Sequence, residues 1–194
     1  MITPLFPGGL TPSSFVTYAA GMGVKVTEED GEMCFQAWKK AYPEMELFLE
    51  SIADPLNLGK YLGITLLGRQ RHNVDKPSAM NTAFQGSSSD GSSEMLYDCY
   101  VKKIPVVNFI HDEIISELTI KPAGQLLEEV YSIEELMISN MRKVIPDVKI
   151  AVESGLMVRW IKGAEGLLDS DGDLRIATKL DNTTGDISWE KVAK

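Results

Sequence analysis

The chain has little of what many functional classes require: two cysteines, two histidines, 19 basic residues against 28 acidic ones, and no long apolar run. Cys34 and Cys99 stand far apart and lack CxxC or Cys/His ligand spacing, which speaks against a structural zinc site or a disulfide framework. A reducing cytosol is the default expectation. No stretch approaches the roughly 18 apolar residues of a membrane span, and no basic segment leads into an apolar one at the start. A soluble, intracellular protein with no membrane partner is therefore expected. The formal net charge of -9 repels phosphate backbones on average, so any contact with nucleic acid must come from a local basic patch. What is present is length and apolar content: 194 residues, 44% hydrophobic and 24% charged, enough to bury a core in one domain or one domain with an appendage.

The opening "MITPLFPGGLTP" is rich in Pro and Gly and reads as a loop. Phe15, Val16, Ala19 and Ala20 suit a short helix ended by Gly21 or Gly23. Thr27 caps the next, with Glu28, Glu29 and Asp30 at its positive end, and Pro43 opens a third through about Ile52. Residues 1–55 form an all-helical unit by this reading. Next, "KYLGITLLGRQRHNVDKPSAM" carries Arg69, Arg71, His72 and Lys76, the one basic cluster of an acidic chain. It reads either as a solvated turn or as a phosphate contact through forked arginine hydrogen bonds.

From Ser78 to Lys102 the apolar residues suit a helix, but the middle, "QGSSSDGSS", has low helix propensity and reads as a flexible linker. The alternative is a helix whose small residues admit another backbone. Pro105–Ile110 and Ile114–Ile120 are strand-like and only His111, Asp112 and Glu113 separate them, which predicts a hairpin with acids at its tip. Leu126, Val130, Ile133, Met137, Met141 and Val144 mark one face of a helix of about twenty residues. Val148, Ile150 and Val152 alternate as a third strand. The fold class is therefore α+β, with an antiparallel sheet covered on one side.

The ordered set "LFPGGLTPSSFVTYA", "AYPE", "TLLGRQR", "AMNTAFQGSSSD", "FIHDEI" resembles the C-terminal portion of family A (polymerase I-like) DNA polymerases, especially phage members, over roughly residues 6 to 166. The resemblance implies a helical fingers fragment over 1–55, a palm fragment with the hairpin over 56–166, and an extension of uncertain structure over 167–194. It also implies that Ser78 to Lys102 is one helix. His111-Asp112-Glu113 matches the family's third polymerase motif, which would make Asp112 a catalytic metal-binding carboxylate and Glu113 an accessory acid near the primer end. Two Mg2+ ions act in such a site, and hard cations need carboxylate oxygens on a rigid turn. Asn81 and Gln85 would contact the template-primer minor groove, whose acceptors on every base pair suit amides. Arg69 and Arg71 would approach the DNA, as would His111.

Two departures qualify the match. Pro77 stands where the family usually has an arginine, and Lys76 replaces it only in part. The family's nucleotide-binding helix and first palm motif are absent from the 194 residues, so no nucleotide-binding residue is assigned. The expectation is a phage- or prophage-encoded fragment in a bacterial cytoplasm. It would be inactive alone and would bind dNTP only when assembled with an N-terminal polymerase polypeptide. The alternative is a non-catalytic prophage remnant with at most weak DNA binding. In the tail, Asp169, Asp171 and Asp173 lie in an Asp-Gly turn of a short hairpin or loose tail. A calcium loop of the EF-hand type would need its glycine later than Gly172 and a Glu in place of Leu180.

Overall fold

The first two helices open on reciprocal caps. A computed structural model of the chain describes residues 11–52 and 59–193, so the opening loop and part of the "LFPGG" match lie outside the described residues. Helices α1 (Pro12–Gly21) and α2 (Glu28–Ala41) each start at a threonine. Thr11 exchanges hydrogen bonds with Ser14, and Thr27 with Asp30, which satisfies backbone donors that a helix start leaves open. The same bonds from Thr27 hold the Asp30 carboxyl below its ordinary value. Phe15 and Trp38 form a small core with Val26, Cys34, Phe35, and Met45 and Leu49 of α3 (Glu44–Ser51).

The chain divides into two compact units that meet in sequence between Asp90 and Gly91. In the first, β1 (Tyr61–Ile64) pairs antiparallel with β2 (Gln70–Val74). Helical chain then continues through α4 (Lys76–Asn81), a π-helical turn (Thr82–Gly86) and α5 (Ser87–Val101). The stretch "QGSSSDGSS", a linker by propensity, is helical because its small residues are packing residues. A Cβ on Gly86 would lie 2.9 Å from Thr65 Cγ2, and one on Gly91 would lie 3.0 Å from Met141. Ser87 is buried; its hydroxyl accepts from Leu66 N at 2.8 Å and donates to Ala83 O at 2.6 Å.

In the second unit β3 (Val106–Ile110) and β4 (Glu113–Ser116) form an antiparallel hairpin. Its inner residues Val106 and Ile114 pack with Met95 and Cys99 of α5 and with Leu136 and Met137 of α6 (Ala123–Val144). Each such side chain taken from water contributes about 1.5–3 kcal/mol. Asn140, on the buried face of α6, has no exposed surface. Its Nδ2 donates to Asp98 Oδ2 at 2.8 Å and to Leu136 O at 3.0 Å, and its Oδ1 accepts from Lys143 Nζ at 2.7 Å.

The expected third strand is corrected. Val148, Ile150 and Val152 lie in irregular chain, because the β3–β4 sheet has only two strands among the described residues and alternation makes a strand only where a neighbour takes up the backbone groups. Further along, Leu156 and Val158 bond to Ala177 of β5 (Arg175–Leu180), which pairs with β6 (Ile187–Lys191). This C-terminal hairpin is no loose tail: Leu167, Leu174 and Val192 pack on Leu126 and Val130 of α6. The architecture is mixed helix and strand with small antiparallel sheets, each two-stranded among the described residues. No described helix is long and apolar enough to cross a membrane.

Candidate functional site

The hairpin turn is tighter than the sequence suggested. Ile110 pairs with Glu113, so the loop is His111-Asp112 alone and Glu113 belongs to β4. His111 takes the first central position with φ 56°, a left-handed backbone that costs an L-residue other than Gly, Asn or Asp about 1–2 kcal/mol. Glycine or asparagine would be the inexpensive choice there. Asp112 is exposed at the tip. Glu113 Oε1 accepts a hydrogen bond from Trp160 Nε1 at 3.2 Å, a partner 47 residues away that sequence reading did not find. Val107, Phe109 and Ile110 are exposed around the turn.

In the first unit the two amides sit at the π turn, Asn81 as the last residue of α4 before it and Gln85 within it. Asn81 Nδ2 donates to Gln85 Oε1 at 2.8 Å, a bond that uses one of the two Asn81 amide donors and neither of those of Gln85. Phe84, between them in sequence, stacks edge-on against Phe48 of α3 with ring centroids 5.1 Å apart. Arg69 is brought to this turn while staying half-exposed: its Nε donates to Asp90 Oδ1 at 2.6 Å and its Nη2 to Gly86 O at 3.0 Å. Arg71 and His72 are exposed on β2, and Lys76 is exposed in the first turn of α4. Asp75 caps that turn by accepting from Ser78 N at 2.8 Å. The Ser78 bond, with smaller help from Arg71 and Lys60, holds its carboxyl below the ordinary value. The basic and amide residues thus share the first unit, and His111, Asp112 and Glu113 share the second.

The three C-terminal aspartates are engaged internally. Asp169 Oδ1 accepts from the backbone N of Asp171 and Asp173 at 2.9 and 3.0 Å. Lys191 Nζ lies 3.1, 3.4 and 2.9 Å from carboxylate oxygens of Asp169, Asp171 and Asp173. Backbone bonds lead in lowering the Asp169 carboxyl pKa, and the Asp173 carboxylate leads in raising that of the Lys191 ammonium. Among the described residues no group of three or more His, Cys, Asp or Glu side chains is arranged to hold a metal ion. Asp112 and Glu113 are suitable donors for a hard cation but do not fit one by themselves. No protein-family model matches the chain, and no curated protein matches it.

Proposed function

We propose that the chain is a C-terminal fingers-palm fragment of a family A DNA polymerase that binds template-primer DNA and contributes Asp112 and Glu113 to a nucleotidyl-transfer site. The observation that carries this reading is the hairpin tip: an exposed carboxylate on a two-residue turn, held by a strained histidine where an unstrained residue was available. Strain of this kind persists where a site needs a fixed direction. The Asn81–Gln85 amide pair and the exposed Arg71 and Lys76 supply the DNA-facing chemistry. Such hydrogen bonding tolerates many sequences, since minor-groove acceptors recur on every base pair.

Two Mg2+ ions would stabilise the charge that develops on the transferring phosphate. This chain's part is to aim the Asp112 carboxylate and to keep Glu113 turned toward the Trp160 N–H. The remaining ligands and the grip on the triphosphate belong to another polymerase segment. The test is primer extension with the chain alone, with a polypeptide carrying the complementary motifs, and with Asp112→Asn in that mixture. Extension by the mixture only, abolished by Asp112→Asn, is expected. A mixture that stays inactive while both pieces are folded rejects the reading.

A further inference from the structure

The π turn is bonded to an arginine that the polymerase resemblance assigned to DNA. Arg69 ends the β1–β2 turn, whose backbone closes through Thr65 N to Arg69 O at 3.0 Å and Arg69 N to Thr65 Oγ1 at 3.0 Å. From there its guanidinium reaches Gly86 O, the last residue of the π turn, and Asp90 Oδ1, one turn further along α5. The Asp90 side chain is largely buried, at 11% exposure, and its Oδ2 has no hydrogen-bond partner. A buried carboxylate with one oxygen unsatisfied is costly, and here its one partnered oxygen faces the arginine. The contact surface is also close-fitting: a Cβ on Gly63 of β1 would lie 2.6 Å from Thr82 Oγ1. Helices favour the i to i+4 pattern, and a π turn survives where its surroundings hold it.

We infer that Arg69 and Asp90 are a positioning pair: they clamp the π turn against the β1–β2 hairpin and so fix the direction in which Asn81 and Gln85 present their amides. This role rests on the proposed DNA contact of those amides, and it makes the half-exposed Arg69 a support of the turn in place of a phosphate ligand. It also gives Asp90 an effect opposite to its charge. Removing a carboxylate from an acidic protein should help it bind DNA, whereas removing a clamp should hurt.

The experiment uses the full chain and a fluorescently labelled primer-template duplex, with binding followed by anisotropy over a range of salt, and hydrogen exchange of the amides of residues 82–87. Asp90→Asn and Arg69→Gln are each expected to weaken binding about tenfold, the scale of one lost charge-assisted hydrogen bond. The double variant should be no worse than either single one. Arg69→Lys should resemble Arg69→Gln, since lysine cannot make the fork, and the salt slope should be unchanged in all of them. Exchange at 82–87 should quicken in each variant. The inference is overturned if Asp90→Asn binds as well as the parent or better, or if Arg69→Gln reduces the salt slope by about one charge while Arg69→Lys behaves as the parent. If the parent binds no duplex, the DNA reading fails by itself. Unchanged exchange in folded variants then still rejects the clamp, and quickened exchange retains it as a support of the turn.

Discussion

Two acidic turns of the second unit spend their carboxylates differently. In the Asp169–Asp173 turn every aspartate meets Lys191, and Asp169 also accepts two backbone donors. In the hairpin turn Asp112 is exposed and makes no hydrogen bond or ion pair with any described residue, and the backbone beside it is strained. The first turn uses charge to hold itself together. The second leaves its Asp112 carboxylate exposed, and its geometry is supported by the sheet rather than by the acid. The polymerase resemblance made Asp112 a candidate cation ligand, whereas the positions of Gly172 and Leu180 spoke against a cation at the Asp169–Asp173 turn; what the sequence did not reveal is that Lys191 gathers those aspartates.

The comparison can be broken most forcefully at the acids. In an assembled extension assay Asp112→Asn should lower activity by more than about 100-fold, because even groups one shell outside a metal commonly cost 10–100-fold. Asp169→Asn should leave the rate unchanged, and equal losses would erase the distinction. A second check uses pH. The Asp169 carboxyl is depressed in the fold, so its support of the turn is present above the unfolded value, about 4, and is lost as pH falls through the folded value. Lys191 is raised, so its support is complete below its unfolded value, about 10.4, and is lost only as pH rises through the folded one. Protection of the amides of residues 169–175, taken relative to the intrinsic exchange rate at each pH, should therefore be high across neutral pH and fall in acid, and Lys191→Met should lower it at neutral pH. The hairpin turn should show no such dependence on Lys191.

His111→Gly sharpens the contrast at smaller scale. It relieves the left-handed backbone and should raise stability by about 0.5–1 kcal/mol in chemical denaturation, while lowering extension in the assembled assay. A variant that gains both would show that the strain serves nothing. Trp160→Phe removes only an exposed hydrogen bond to Glu113, so stability should move by less than about 0.5 kcal/mol. Extension should fall modestly in kcat with KM for dNTP unchanged.

What the sequence revealed was local. Thr27 as a cap, the apolar face of α6 and the two strands around His111-Asp112 are patterns that their own neighbours decide, and the structure follows them, except that the second strand stops at Ser116 rather than Ile120. Where partners are distant, the sequence was silent or misleading. Val148 to Val152 has strand alternation but no strand beside it. Gly86, Ser87 and Gly91 look like linker residues until Thr65, Leu66 and Met141 are packed on them. Trp160 reaches Glu113 across 47 residues and Lys191 reaches its aspartates across about twenty, separations at which no periodicity is visible. Asp90, within a run of serines, gave no sign that it would be buried against Arg69.

Asn140 gives the second unit something that its apolar contacts do not. Leu and Met side chains slide past one another at modest cost, so a greasy pair of helices could settle at several neighbouring offsets. A fully enclosed amide whose one bond to the other helix runs to Asp98 favours one, while its bonds to Leu136 O and Lys143 stay within α6. Displacing α5 along α6 by a single turn, about 5.4 Å, would break the Asp98 bond at a cost of about 1–3 kcal/mol. The helices beneath the Asp112 hairpin are thus keyed to one setting, and the aim of the carboxylate above them inherits that choice.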